Sequence, residues 1–410
     1  MKKDIYIFLL GVFGITEISV TSFRMPVAVI LMLPFAVTAI SHYPHYKISK
    51  KLLVYLSLWI IGLVLSSLYN NTPTDQLIKQ IGKIASLFLY FPIAMWCLIG
   101  KPSRILLFVT GLGISGILQF FIFPVADFET EVKTSGYANA VETVAAWFIS
   151  PIIAATCSVL FYKGYRYLTI ILACLYGIWA IFNNSRYSLI AYLSLALILF
   201  YLGDPLQQMT QKAINRYKRK GMNILLIAIA GVYFASSVYS YMAENNILNE
   251  RSTQKYYQQK NENALGLATG RADFFLAAYG ITKNPIIGYG ATPKDKNGIN
   301  RDFFKLIHAK NPNWKNIPTH SHILGAWVTA GILGMLFWIY ILKIIIMYLK
   351  KVYFYNTRMW CFSTIYILLF SWDIFFSPYV GSRGYRLAFI FSYFIISLSD
   401  ANFRKSLLMK

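Results

Sequence analysis

The feature that most constrains this chain is a succession of apolar runs, each long enough to cross a membrane. Apolar runs of roughly 18–24 residues recur along the chain and indicate about twelve helices, and a hydrocarbon core of about 30 Å needs roughly 20 apolar residues per helix. The 410 residues are 57% hydrophobic and only 13% charged, which leaves too few polar side chains to cover a soluble protein. The sequence therefore predicts an all-α polytopic membrane protein.

Hydropathy places these helices along the whole chain, with boundaries good to a few residues. They span about 4–20, 24–40, 52–69, 78–99, 105–124, 138–162, 168–183, a run beginning at 186, 222–242, 322–348, 359–377 and 387–400. No small-residue cleavage site ends the first helix, so we expect it to be retained. The cysteines, which fall inside apolar runs without paired spacing, are expected in the core. They are Cys97, Cys157, Cys174 and Cys361.

The charges in the links between the runs predict the orientation. Links rich in Lys and Arg belong in the cytoplasm by the positive-inside rule. They lie at 47–51, 101–104, 163–166, 212–220, 350–358 and 404–410. The links at 70–77, 125–137 and 183–186 and the long loop at 243–320 then lie outside. This alternation predicts one integral membrane domain over 1–410 with both termini cytoplasmic. It also explains the formal charge of +23 without nucleic-acid binding.

Several arginines fall on the predicted outer side or at its membrane edge, namely Arg24, Arg186, Arg271, Arg383 and Arg386. Interfacial anchoring explains an arginine that reaches the headgroups, and we favour this reading for Arg24. Arg186 lies in a very short link between helices, and an uncompensated arginine at membrane depth costs roughly 2.5–3.5 kcal/mol. A salt-bridge network with Glu17, Glu142 or Asp373 would offset that cost, and so would a bound phosphate. Both readings of Arg186 stay open.

The long loop carries two further candidates. The amphipathic stretch 271–281 predicts a helix that begins at Thr269 or Gly270, with Arg271 in a first turn that favours a phosphate oxygen. Its Phe and Leu side chains are more simply explained by ordinary packing than by binding to the membrane surface. His320 ends the loop at the membrane, and a neutral imidazole has the right pKa range to take a proton from a hydroxyl. The histidines lack partners at ligand spacing, so no metal cofactor is expected.

Several short motifs then occur together in order. His320-Ser321, nine residues, and Gly331-Ile-Leu-Gly334 resembles the His-[Asn/Ser]-x9-Gly-x-x-Gly signature of the bacterial O-antigen ligase/polymerase superfamily. Asn184-Ser185-Arg186 is similar to that family's Ser/Thr-Arg at an outer helix junction, and Gly270-Arg271 is similar to its loop arginine. The turn Asn284-Pro285-Ile-Ile-Gly288-Tyr-Gly290 resembles the family's Pro-hydrophobic-Gly turn. Glycines after His320 would also let another backbone approach closely.

The resemblance implies a GT-C-like, metal-independent, inverting glycosyltransferase of the bacterial inner membrane. Its donor would be a glycan on undecaprenyl pyrophosphate, presented at the periplasmic face. Arg186 and Arg271 would bind the pyrophosphate and stabilise it as the leaving group, and His320 would be the general base on the acceptor hydroxyl. Cationic donors beside developing charge, with a base within reach, are also what this chemistry requires. Further candidates for substrate contacts are Arg383, Arg386, Arg24 and Ser321.

The superfamily divides by acceptor, and the shared motifs do not separate the two groups. Polymerases extend a second lipid-linked repeat to build O-antigen, capsule or exopolysaccharide, and the stretch 317–327 favours this reading. Ligases transfer the finished chain to lipid A-core. Expected partners are the lipid-linked donor and acceptor, membrane lipid and a chain-length regulator. A lipid-linked oligosaccharide flippase would instead place ionisable residues at the bilayer midplane, and an accessory scaffold would leave the arginines unused.

Overall fold

The computed structural model describes residues 2–14, 17–20, 23–43, 46–121, 137–182, 186–202, 237, 240–245, 247, 253, 256–257, 272–307, 314–379 and 381–400. This part of the chain is nearly all helical. Its elements are α1 (Lys2–Val12), β1 (Glu17–Val20), β2 (Phe23–Pro26), α2 (Val27–Ser41), α3 (Lys47–Tyr69), α4 (Thr74–Ala85), α5 (Leu87–Leu98), α6 (Ile105–Phe121), α7 (Tyr137–Tyr162), α8 (Arg166–Phe182), α9 (Arg186–Leu202), α10 (Ala272–Lys283), α11 (Ile299–Leu306), α12 (His322–Lys351), α13 (Trp360–Phe376) and α14 (Gly381–Ser399).

The helices have the length and surface expected in a bilayer. Three stretches of the described chain are long and apolar enough to cross a membrane: Lys47–Tyr69, Thr74–Leu98 and His322–Lys351. Shorter apolar helices occur at Val27–Ser41, Ile149–Tyr162, Arg166–Ala180, Tyr187–Tyr201, Trp360–Phe376 and Gly384–Ser399. Large apolar side chains point outward from several of them, and Val37 is 80% exposed. Such surfaces suit lipid and not water, so the predicted class of helical membrane protein is confirmed.

The first two predicted helices need correction. The prediction placed them at about 4–20 and 24–40, but α1 ends at Val12 and an antiparallel β-hairpin follows, with Glu17 opposite Pro26 and Val20 opposite Phe23. The sequence Glu17-Ile-Ser-Val20 alternates polar and apolar residues, which is the period of a strand and not of a helix. The predicted ninth helix, about 222–242, lies almost wholly outside the described residues.

The second part of α12 packs antiparallel against α3. The rings of Tyr55 and Tyr340 stack with their centroids 4.7 Å apart, and those of Trp59 and Phe337 stack at 5.2 Å. Nearer the end of α3, the missing side chain of Gly62 makes room for the carbonyl group of Ala330. The basic start of α3 and the turns near residue 330 therefore lie at opposite ends of this helix pair.

The structure breaks α12, which the sequence predicted as one continuous helix at about 322–348. Gly331 has φ 64° and ψ −160°, a backbone conformation in which the helix cannot continue. The ring of His322 then lies 4.7 Å from that of Trp338, although 16 residues of straight helix would separate them by about 24 Å. The carbonyl group of Ala326 likewise lies against Gly334. The half-helix at 322–330 therefore folds back along the half-helix at 332–351.

The described part of the long loop forms a small folded unit with its own core. Apolar side chains of α10 and α11 pack together with residues of the turn after α10, of the segment before α12 and of the first half of α12. They are Leu276, Ala277, Ile281, Tyr289, Ile299, Phe303, Phe304, Ile317 and Val328. Leu276 is completely buried there and so contributes to ordinary packing, whereas Phe275 of the same helix is 47% exposed.

Candidate active site

The predicted base His320 lies beside a carboxylate from the start of α10. Its Nδ1 is 2.5 Å from Oδ2 of Asp273, a residue 47 positions earlier in the chain. A carboxylate accepts hydrogen bonds, so Nδ1 is the donor, and Nε2 carries the lone pair of the neutral imidazole. The His320 side chain is 59% exposed. An approaching hydroxyl can therefore reach an imidazole whose tautomer is already set.

The segment that leads to His320 is fixed by the loop unit. The amide of Ile317 donates to the carbonyl oxygen of Pro293 at 2.8 Å, and its side chain is buried against Gly280 of α10. Just before His320, the carbonyl group of Thr319 lies against Gly325, where any Cβ would collide with it. The absence of a side chain at Gly325 thus lets the segment lie over the first turn of α12. The backbone just before His320 is therefore held both by the loop unit, through Ile317, and by the first turn of α12, through Thr319.

The two residues after His320 attach it to the end of α13. The Ser321 hydroxyl donates to the carbonyl oxygen of Ile374 at 3.0 Å and accepts from the amide of Leu324 at 3.1 Å, capping α12. The Nδ1 of His322 donates to the carbonyl oxygen of Ser377 at 2.6 Å. Both residues are buried. Ser321, predicted as a substrate contact, therefore lies at the site with its hydroxyl engaged in holding the backbone beside His320.

The start of α10 reaches the same place. The ring of Phe274 lies 5.4 Å from that of Phe376, the last residue of α13. Arg271, the predicted loop arginine, lies outside the described residues and is two positions before Asp273 in the sequence. The predicted helix beginning at residue 269 or 270 is found as α10, which begins at Ala272 in the described chain.

Arg386 forms an ion pair inside the helix bundle. Its Nη2 donates to Oδ2 of Asp373 at 3.0 Å, and both side chains are largely buried. Asp373 directly precedes Ile374, the residue that accepts from Ser321. Within the described part of the chain, the buried Nε of Arg386 has no hydrogen-bond partner. The sequence named Asp373 as a partner for Arg186, and the structure pairs it with Arg386 close to the His320 segment.

The side chains of the other predicted arginines lie outside the described residues: Arg24, Arg186 and Arg383. The backbone of Arg186 is described as the first residue of α9, and its neighbour Tyr187 lies close enough to Arg386 to interact with it electrostatically. Glu17 and Glu142, the alternative partners for Arg186, also have side chains outside the described part. The start of α9 is thus near Arg386, while the arginine cluster itself stays a prediction.

The loop turn at 284–291 fills the break in α12. The amide of Tyr289 donates to the carbonyl oxygen of Val328 at 2.7 Å, and the amide of Ile332 donates to that of Ile286 at 3.1 Å. These bonds satisfy backbone groups that the interrupted helix leaves without partners. Gly288 must lack a side chain, since its φ is +80° and a Cβ would meet the backbone of Val328 and Gly331. The sequence motifs around Gly288 and Gly331 therefore contact each other in the fold.

The same turn is bound to the end of α3 and to α10. The amides of Gly290 and Ala291 donate to the hydroxyls of Ser66 and Ser67 at 2.8 and 3.0 Å. The Tyr289 hydroxyl donates to the carbonyl oxygen of Gly280 at 2.7 Å, and burial raises the pKa of Tyr289 to about 12. This phenol therefore stays protonated and keeps its role as a donor. The turn connects α3, the break and the helix that carries Asp273.

Sequence reasoning did not assign a role to Asp273. In the sequence, Asp273 is an acidic residue in the first turn of a predicted helix, and such a residue is ordinarily explained by its favourable interaction with the helix dipole. Only the fold shows that the first turn of α10 lies beside His320. The separation of 47 residues between the two partners gives no pattern that a sequence could display.

These observations define a helical membrane protein in which the loop residue His320 and the Asp373–Arg386 ion pair lie near the end of α13. Residues 169–339 match the family model described as O-antigen ligase. This segment, about two-fifths of the chain, holds Arg186, Arg271, His320 and both glycine motifs. The match confirms the resemblance and supports the O-antigen ligase/polymerase superfamily for this segment. It supports a membrane function of that type and suggests a glycosyl-transferring enzyme. None of the curated proteins matches the chain.

Proposed function

We propose that the protein is a glycosyltransferase of the bacterial inner membrane that polymerises O-antigen, capsule or exopolysaccharide repeats. Its donor is a glycan on undecaprenyl pyrophosphate, and its acceptor is a second lipid-linked repeat. The observation that carries the proposal is the exposed imidazole of His320 with its Nδ1 engaged by Asp273, within the segment that matches the superfamily.

The reaction needs a base, a cationic site for the leaving group and no metal. Nε2 of His320 takes the proton of the acceptor hydroxyl, and the oxygen attacks the anomeric carbon from the face opposite the leaving group. The bond from that carbon to the pyrophosphate oxygen breaks, its electron pair leaves with undecaprenyl pyrophosphate, and the anomeric configuration inverts. Arg186 and Arg271 stabilise the negative charge that develops there. Loss of one such donor typically lowers turnover ~10²–10³-fold.

The proposed topology follows the sequence prediction. About twelve transmembrane helices form one GT-C-like domain, with both termini cytoplasmic and the loop at 243–320 contributing to a periplasmic site. The docking of the turn at 284–291 onto the end of α3 supports this arrangement, because it puts the loop opposite the basic link at 47–51. Arg383, Arg386 and Arg24 contribute to binding donor, acceptor or lipid phosphates, and a chain-length regulator is an additional partner.

The ligase reaction is the second candidate, because the matching family model is described as O-antigen ligase. A lipopolysaccharide gel of a strain that lacks the protein separates the two. Loss of a polymerase leaves lipid A-core carrying a single repeat. Loss of a ligase leaves bare core while long lipid-linked chains accumulate. A normal ladder, together with normal capsule and exopolysaccharide, would contradict both.

A further inference from the structure

The contact between Asp273 and His320 does more than join two segments of the chain. Nδ1 of His320 lies 2.5 Å from Oδ2 of Asp273, and the carboxylate can only accept. The contact therefore excludes the neutral tautomer with its proton on Nε2, which could not take a proton from an acceptor. It also restrains the rotation of a side chain that is 59% exposed.

Both partners are held by contacts other than the one between them. Asp273 is in the first turn of α10, where a negatively charged side chain interacts favourably with the helix dipole. That helix is anchored by buried Leu276 and by the ring of Phe274 against Phe376. His320 is placed by its neighbour Ser321, which binds the end of the same helix α13. The carboxylate and the imidazole thus meet because two rigid elements deliver them.

We propose that Asp273 is the positioning residue for His320 in glycosyl transfer, an inference that rests on the function proposed above. When Nε2 takes the proton of the acceptor hydroxyl, the ring becomes an imidazolium, and the carboxylate of Asp273 stabilises that charge through the Nδ1 proton. The acceptor oxygen bonds to the anomeric carbon as the pyrophosphate leaves with the bonding electrons. The imidazolium then releases its proton to water. Asp273 touches neither substrate and acts only through the histidine.

The first test compares Asp273→Asn with the unaltered full-length protein in membranes supplied with lipid-linked donor and acceptor. We expect kcat to fall at least ~10-fold, because removing the carboxylate behind a metal-binding histidine typically costs ~10- to ~100-fold and removing the one behind a histidine base can cost ~10⁴-fold. KM for the donor stays the same, because the asparagine removes no donor contact. Asp273→Glu keeps a carboxylate and should recover part of the loss. The matched control is Asp302→Asn, which neutralises an exposed carboxylate of α11 that pairs with Arg301 and should leave kcat unchanged.

The second test asks whether the effect passes through the histidine. Asp273→Asn is combined with His320→Ala, and residual transfer is measured in all four combinations. A positioning residue has nothing left to act on once the imidazole is gone, so Asp273→Asn should cost nothing further in the His320→Ala protein. The same fold-loss in both backgrounds would overturn the proposal, because Asp273 would then act on the fold or the donor.

Other outcomes also decide. Turnover of Asp273→Asn within about twofold of the unaltered protein would overturn the positioning role while leaving His320 as the base. A marked fall in its unfolding temperature would overturn it too, since an exposed pair contributes little to stability and such a fall would identify a structural carboxylate. Near-normal turnover of His320→Ala alone would remove the base itself, and with it the function on which this inference rests.

Discussion

The amide of Ile332 donates to the carbonyl oxygen of Ile286 at 3.1 Å, joining a turn of the long loop to a break within a membrane helix. The bond is possible because Gly331 adopts a backbone conformation that essentially only glycine reaches. Gly331 also has no side chain to push the loop turn away from α12. The turn that supplies Ile286 also binds the helix carrying Asp273. The geometry around His320 therefore depends on a contact made several residues away.

Replacing Gly331 tests how strongly the packed break stabilises the fold. Gly331→Ala should lower the free energy of unfolding by more than ~2 kcal/mol, because an alanine is strained at this φ and its Cβ would collide with the Ile286 carbonyl group. Thermal unfolding in detergent measures the loss. The control is Gly82→Ala in α4, where a Cβ would meet nothing within 4 Å and stability should not fall. Equal stability of the two variants would contradict the packed break.

The serines at the end of α3 should matter in the same way. Ser66→Ala and Ser67→Ala each leave a buried loop amide without its acceptor, which costs about 1–3 kcal/mol. Limited proteolysis of the loop should become faster in both variants. Ser57→Ala is the matched control, since the Ser57 hydroxyl donates only within its own helix, to the carbonyl oxygen of Leu53. Unchanged cleavage in the first two variants would argue that the turn is not held by α3.

Arg386 and Asp373 can be separated into structural and substrate-binding roles. Removing one member of a buried ion pair typically costs ~3–5 kcal/mol, whereas removing both can cost less. We expect Arg386→Ala and Asp373→Ala each to lower the unfolding temperature strongly and the double variant to lower it less than their sum. Thermal unfolding of all three measures this coupling. An Arg386→Ala protein of full stability but without transfer would assign the guanidinium to substrate alone.

Arg186 is predicted to need its guanidinium and not merely its charge. Arg186→Lys keeps the positive charge but loses bidentate contact with a phosphate, so transfer should fall ~10-fold or more while expression and unfolding temperature hold. Arg166→Lys is a suitable control, because Arg166 binds the carbonyl oxygens of Leu199 and Phe200 at the other end of α9. Full transfer by Arg186→Lys would favour plain interfacial anchoring.

The sequence predicted the class of fold because apolar run length and link charge are local properties that a bilayer imposes directly. It failed where local pattern and tertiary contact disagree. The pattern of the stretch 322–348 predicts one apolar helix. Nothing within it shows that the carbonyl oxygen of Ile286 accepts from the amide of Ile332 and so compensates the break at Gly331. The hairpin at 17–26 was missed because a few alternating residues were averaged into an apolar window.

The same distinction between local pattern and tertiary contact applies to the candidate site. His320 could be proposed as a candidate from the sequence alone, since a histidine where a basic loop meets an apolar run is visible together with its motif. Asp273 could not, because its role comes from the meeting of α10 and the end of α13. The pairing of Asp373 with Arg386 likewise required knowing which helices are neighbours, although the sequence did name Asp373 as a carboxylate available to an arginine.

The most direct test of the account is glycan transfer by His320→Ala in a strain that lacks the native protein. The variant should be present in the membrane at normal level with an unchanged unfolding temperature, and transfer should fall ~10²–10⁴-fold, the usual contribution of a general base. His42→Ala, which removes an exposed histidine at the end of α2, should transfer normally. Near-normal glycan assembly by His320→Ala would contradict the account.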